Sequence, residues 1–441
     1  MELTETLAAS FLAFENQSST DVDSTVHEKR SAAFERFEKK GFPTKKNENW
    51  KYTSLKKILN KNYTLFNKQE VSLDLKDVKH LFVQGIESYK LVFIDGVYSS
   101  FLSQTTHEGM DICVMSSALH KPKYKMVMDN YFDTLASEAG ALSDLNTAFA
   151  TEGAYINIPK GTVVPKPIQI LNFTTGKNPD LLIQPRNLVI VGENAHVQII
   201  ERHHSIGGQD NFTNSVTEIF ANKRAIVDYY KIQNDVLDAN LIDSTYVSQK
   251  RDSICSVHTY SFGGNMTRNN LSFKHEGEHV TSNLNGLSII DGKQHVDNHT
   301  TMHHRYPNCD SNEWYKGLYD GKSTGVFNGK VIVDQLAQQT NAFQQNDSIL
   351  LSDSADINAK PQLEIFADDV KCSHGCTIGQ LDQSALFYMQ SRGIPKKEAQ
   401  ALLMYAFTAD VMKDVKIPAL KTLITGLIAD KLGVDLGFDD L

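Results

Sequence analysis

Gly192-Glu193-Asn194-Ala195-His196-Val197 is followed by Asn222-Lys223-Arg224-Ala225-Ile226-Val227, then by Gln249-Lys250-Arg251-Asp252-Ser253-Ile254, then by His275-Glu276-Gly277-Glu278-His279-Val280. Each unit is a polar turn running into an apolar or β-branched strand, and successive turns lie roughly 25 to 30 residues apart, the range of repeat architectures. No helical pattern intervenes. The surrounding texture is of short β-rich runs, among them Tyr155-Ile156-Asn157-Ile158, Asn187-Leu188-Val189-Ile190-Val191 and Gly329-Lys330-Val331-Ile332-Val333. A period near 28 is long for one hairpin and short for a propeller blade. It fits one coil of a parallel β-helix. The competing reading is a β-sandwich with regularly spaced hairpins.

The β-rich stretch separates two helical regions, which gives domains at 1–150, 151–382 and 383–441. In the first, Leu3, Leu7, Phe11 and Phe14 recur at helical spacing, as do Val26, Arg30, Ala33, Phe34 and Phe37. The second helix should stop at Gly41, with Pro43 just beyond. A strand is expected at Leu91-Val92-Phe93-Ile94, and a helix from about Tyr131 to Ala150, bent near Gly140. In the last region a helix over 384–392 ends at Gly393, and Pro395 opens a longer one. Its stripe is Ala399, Leu402, Leu403, Ala406 and Phe407; a final helix from Pro418 repeats the pattern with Leu420, Leu423, Ile424, Leu427 and Ile428. Packing against the β-rich domain would satisfy one such stripe; two in so short a tail raise the odds of a partner protein, though packing inside the chain is the commoner use. The closing Phe438-Asp439-Asp440-Leu441 is acidic and expected to fray.

The net charge of −9 argues against a nucleic-acid binder. No apolar run approaches membrane-spanning length. Met1-Glu2-Leu3-Thr4-Glu5 lacks the basic and apolar regions of a secretory leader, so a cytoplasmic setting is expected. Five cysteines (Cys113, Cys255, Cys309, Cys372 and Cys376) are few and scattered, as suits a reducing compartment. The phosphate-binding loop, the serine-nucleophile elbow and the H-E-x-x-H zinc motif are all missing.

Chemistry concentrates in Ala367-Asp368-Asp369-Val370-Lys371-Cys372-Ser373-His374-Gly375-Cys376. In an extended segment Cys372, His374 and Cys376 share one face, about 7 Å apart per step at a rise of roughly 3.3 Å per residue. That row cannot enclose one ion unless the chain turns sharply at Gly375. Two ligands from here and others from a second surface is the easier geometry. Thiolate and imidazole suit iron, iron–sulfur or zinc; a buried strand end with inert thiols fits the same spacing. A second row, His295, Asp297, His299, Thr301 and His303, reads either as a metal site or, preferably, as a hydrogen-bonded ladder outside a β-helix. His203 and His204 would point to opposite faces of a strand.

Lys360-Pro361-Gln362-Leu363-Glu364-Ile365, running into Ala367 through Gly375, resembles the SufB/SufD family of scaffold subunits in SUF iron–sulfur cluster assembly. So do Phe387-Tyr388-Met389-Gln390-Ser391-Arg392-Gly393-Ile394, His295-Val296-Asp297-Asn298-His299-Thr300 and the N-terminal Glu48-Asn49-Trp50-Lys51-Tyr52-Thr53. The SufD branch is favoured, because SufB carries cysteine where Asn346 precedes Asp347-Ser348 and lacks the Lys-Cys-Ser-His-Gly element. The resemblance implies a right-handed parallel β-helix flanked by helical domains and a non-catalytic subunit. It implies pairing with SufB through the β-helix and binding of the ATPase SufC through the C-terminal helices, here Leu402, Leu403, Ala406, Phe407, Leu423, Ile424 and Leu427. A transient nascent Fe–S cluster would form at the SufB interface with His374 and Cys372 contributing, while no role is assigned to Cys376. The isolated chain needs no cofactor and is a monomer or homodimer. A self-contained zinc-structured protein and a carbohydrate-active β-helix enzyme are the readings from other classes.

Overall fold

From Ile168 onward most strands pair not with their neighbour in sequence but with the next but one, alternating between two parallel sheets. The computed structural model describes residues 3–18, 24–65, 73–105, 109–137, 139–178, 180–208 and 210–433. Along sheet I the register steps from His196 to Ile226, Ile254, Thr281, Asp310 and Asn341, and along sheet II from Asn240 to Met266, His295, Thr324 and Asp356. The coil is therefore close to constant in length. This is a parallel β-helix, and the sandwich reading falls.

The turns that announced the repeat share one geometry. Asn194, Arg224, Asp252, His279, Asn308 and Gln339 all have φ between 56° and 60°, the left-handed region. For residues with a Cβ that conformation costs about 1–2 kcal/mol each. Hydrogen bonds between stacked turns offset it: the Asn194 amide donates to the Lys223 carbonyl, Arg224 to Arg251 and Asp252 to Glu278, each at 3.0 Å.

Alternate residues of both sheets fill the lumen, with Val197, Ile199, Val227, Val257, Leu284, Phe273, Met302 and Val331 in one apolar core. The outer faces are covered too. Helices Leu3–Ser18, Ser24–Lys40 and Ala141–Ala148 lay Phe11, Phe34 and Leu145 on Phe212 and Ile242 of sheet II. The second of these stops at Gly41 (φ 63°), whose amide donates to the Phe37 carbonyl.

The single bent helix expected over 131–150 is two elements. Helix Lys125–Tyr131 ends, and Ala141–Ala148 begins only after Gly140. Between them the amides of Asp133, Leu135 and Ala136 donate to the Glu218 carboxylate at 2.8, 2.7 and 3.2 Å, so they are diverted from any helical ladder. Glu218 also meets the buried Arg186 guanidinium at 2.6 Å. We expect Glu218→Ala to cost about 3–5 kcal/mol, because the buried Arg186 then keeps only the Asp133 carboxylate, at 3.6 Å, and three backbone amides lose their acceptor. Urea denaturation monitored by circular dichroism measures this, and a change within about 0.5 kcal/mol, the surface-substitution range, would contradict it.

The C-terminal stripes require a correction. Leu420, Ile424 and Ile428 are fully buried against Tyr230, Ile232, Tyr260, Leu287 and Leu318 on the outside of sheet I, with Leu423 and Leu427 half-buried beside them. Helix Lys396–Met412 adds Val411 and Met412 to that core, while Leu402, Leu403 and Phe407 are half-buried and Ala406 is exposed. Lys316 reaches out of sheet I to the Phe407 carbonyl (2.9 Å) and Asp410 (2.8 Å). Ile424 therefore cannot meet a partner, since an apolar outer face of this chain already claims it. The acidic 438–441 stretch lies outside the described residues.

The two ends of the β-helix differ. At the N-terminal end each sheet finishes in a short antiparallel strand, Val97–Tyr98 beside Tyr89–Ile94 in sheet I and Asp111–Val114 beside Ala154–Ile158 in sheet II. At the C-terminal end, Asp356–Ile365 and Val370–Gly379 each pair on one side only among the described residues. An unpaired edge is a template for another chain.

Candidate functional site at the open end of the β-helix

Strand Val370–Gly379 carries Cys372, His374 and Cys376 on the face turned toward the lumen, in register with Ala342, Gln344 and Asn346 of the preceding coil. Cys372 and Val370 pack against the lumen core, as does Leu363 from sheet II. His374 and Cys376 are exposed at the mouth. The strand is continuous through Gly375, so the three donors remain in a row and do not converge. A Cβ at Gly375 would meet only the Gln345 carboxamide, the movable end of a flexible side chain.

Behind His374 the lumen is polar. Gln344 Nε2 donates to Glu313 Oε2 at 2.7 Å, and burial pushes the Glu313 carboxyl up to about 7. Burial also raises both thiols, Cys376 further so because of the Asp347 charge, while the Ala342 backbone partly offsets the effect at Cys372. A metal must therefore displace protons from both. Cys376 Sγ lies 3.8 Å from Asn346 Oδ1.

Exposed apolar side chains rim this end: Phe343, Ile365, Phe366 and Ile378 on the last coils, then Phe387 (72% exposed) and Tyr388 (59%) on helix Gln383–Ser391. The sequence reading missed Phe366 and used Phe387 and Tyr388 only for the family resemblance, with no partner role. An aromatic pair in a helix too short to bury both was the available signal.

The histidine row stands on the outer face of sheet II as a ladder. His295 Nε2 is 2.8 Å from Thr53 Oγ1, which also donates to Asp297; Asp297 lies 3.1 Å from His299 and 2.5 Å from Arg268, and His303 lies 2.9 Å from Asp334. Arg268 stacks under Trp50 at 3.9 Å, which fixes the Glu48–Trp50 turn to the β-helix beside a cavity of about 630 Å³. Burial alone would raise the Asp297 carboxyl, but Arg268, His299 and Thr53 together hold it well below the usual carboxylate range. A depressed carboxyl stabilises the fold above its unfolded value, near pH 4, and loses that contribution as pH falls toward the folded value. We expect Asp297→Asn to cost about 3–5 kcal/mol at pH 7 by stranding Arg268, with the gap to wild type narrowing below about pH 4. Denaturation at pH 7 and pH 3 tests this; a gap that widens in acid would contradict it.

Residues 1–170 match the SufBD protein N-terminal region, and 173–407 match the SUF system FeS cluster assembly SufBD core domain. An iron–sulfur cluster assembly SufBD family protein of Synechocystis is 32% identical over 90% of this chain and 89% of its own. Similar relatives are the iron–sulfur cluster assembly protein SufD of Escherichia coli, 29% identical over 89% and 90%, and SufD of Bacillus subtilis, 26% identical over 69% and 70%. With both regions matched across most of its length, the chain belongs to the SufBD family of iron–sulfur cluster assembly proteins.

Proposed function

We propose that the chain is the SufD-type half of a cytoplasmic SUF scaffold, non-catalytic itself, that joins a SufB-type subunit through the open end of its β-helix. One observation carries this reading: the end of the solenoid that finishes in two full-length parallel edge strands is the end that carries His374, Cys372 and Cys376. A second β-helix adding its strands there would satisfy the free edges of both sheets, the β-augmentation mode. It would cover Ile365, Phe366 and Ile378 and supply the second ligand surface that a straight row requires. The nascent cluster is cargo, held transiently by His374 and Cys372. Free thiols at all five cysteines suit a reducing compartment, and among the described residues no helix is long and apolar enough to cross a membrane.

The ATPase subunit docks, on this reading, on helix Gln383–Ser391 and the exposed side of Lys396–Met412, where Phe387, Tyr388 and Ala406 are free of the β-helix. Phe387→Ser with Tyr388→Ser should weaken ATPase retention at least about tenfold, as loss of central aromatic anchors does, without changing the fold. Undiminished retention by the folded variant would sink this docking surface. The reading as a whole is tested by anaerobic co-expression with SufB-type and SufC-type subunits. A complex containing all three supports it; a homodimer of this chain that excludes the SufB-type subunit contradicts it.

A further inference from the structure

Far from the open end, the lumen holds a cluster of a different kind. Glu201 and His203 point inward from strand His196–Ser205 of sheet I, and Asp243 points inward from Asn240–Gln249 of sheet II. One ligand atom from each lies within 4.8 Å of the others, and all three side chains are buried. The flanking groups hold part of this set in place. Glu201 accepts from Asn187 Nδ2 at 3.0 Å and Tyr229 OH at 2.8 Å, while Lys231 Nζ lies 2.6 Å from Asp243 Oδ2 and 4.0 Å from Glu201.

Two atoms are left over. Asp243 Oδ1 and His203 Nε2 are buried without a hydrogen-bond partner, although His203 Nε2 is aimed at Glu201 Oε1 from 3.5 Å. Orphaned buried polar atoms are costly, and native interiors leave few. Two carboxylates facing one ammonium also leave a negative charge uncompensated when the imidazole is neutral. His203 further borders a cavity of about 10 Å³ beside Asn172, Thr213 and Asp235, close to the volume of a single water.

We propose that Glu201, His203 and Asp243 form a binding site for one divalent transition cation of the Fe²⁺, Co²⁺ and Zn²⁺ class, separate from the thiol–imidazole row at the open end. An imidazole with two carboxylates suits these ions over Mg²⁺ and Ca²⁺, which take oxygen donors. The ion would take the two orphaned atoms and Glu201 Oε1 as ligands, and Lys231 would stay on Asp243 Oδ2. The ligands close in by a fraction of an ångström to reach bonding distances near 2.0–2.2 Å. Lys231 sets the affinity by its repulsion, so the site is tuned for reversible occupancy.

The test uses the full chain carrying Cys372→Ser, His374→Ala and Cys376→Ser, which silences the open end and leaves the lumen intact. After chelation, Co²⁺ is titrated anaerobically and followed by absorbance and by bound metal. We expect about one equivalent bound, with ligand-field bands and no thiolate charge-transfer band, and loss of binding in Asp243→Asn. Lys231→Met keeps all three ligands and should tighten binding at least about tenfold, because a like charge within a few ångströms is removed. Less than about a tenth of an equivalent in the folded triple variant overturns the proposal and leaves a closed network with His203 protonated on Glu201. Binding that survives in folded Asp243→Asn, or unchanged affinity in Lys231→Met, overturns it equally. Circular dichroism establishes folding in each case, and should Asp243→Asn not fold, the Lys231→Met titration decides.

Discussion

A chain ending after Gly393 is expected to precipitate, not to survive as a soluble β-helix. Removing helices Lys396–Met412 and Pro418–Leu432 would strip Tyr230, Ile232, Tyr260, Phe262, Leu287 and Leu318 of their cover at once. It would also strand Lys316, nearly buried and paired with Asp410, and take from the buried Asp228 its Lys416 partner at 2.6 Å, leaving only His196 at 3.5 Å. Six large side chains losing about 1.5–3 kcal/mol of burial each lose about 9–18 kcal/mol together, as much as the 5–15 kcal/mol by which whole domains are stable. Point substitutions resolve the same surface in smaller steps: Leu420→Ala and Ile424→Ala should each cost about 2–5 kcal/mol. Soluble yield and urea denaturation are the measurements. A soluble truncation with unchanged denaturation would show that these helices form an independent module, contrary to their packing.

The β-helix was legible because each coil repeats a local signal. The turns at Asn194, Arg224, Asp252 and His279 need a left-handed residue within a polar pair, and that need recurs every coil. The Cys372/His374 face was legible for a related reason, since alternation within one strand fixes which side chains share a face. The C-terminal stripes were correctly periodic, but their direction was left open between a partner and this chain. Periodicity shows that Leu420, Ile424 and Ile428 must be buried; only the fold shows that sheet I of the same chain buries them. Glu201 with His203 was readable as an alternating pair, but Asp243 joins them across the lumen from the other sheet, a meeting that no local spacing encodes. The broken helix near Gly140 has the same origin, because Glu218, which captures the amides of Asp133, Leu135 and Ala136, is some eighty residues away in sequence.

The central claim is that the open end of the β-helix presents cluster ligands to a second subunit. His374→Ala is its sharpest probe. His374 is exposed at the mouth, and Gln344, its register partner on the preceding coil, donates to Glu313 without it, so the strand keeps its register when the imidazole is lost. Even outer-sphere partners of a metal are worth about 10–100-fold in affinity, and a direct ligand should be worth no less. Cys372→Ser should give the same defect or a milder one, and Cys376→Ser the smallest. The measurement is iron and sulfide per complex after anaerobic purification with SufB-type and SufC-type subunits, with copurification yield as the control. The predicted result is an assembled His374→Ala complex holding a small fraction of the wild-type iron and sulfide; full loading at normal yield would contradict the site, and loss of assembly would make His374 a structural residue of the interface.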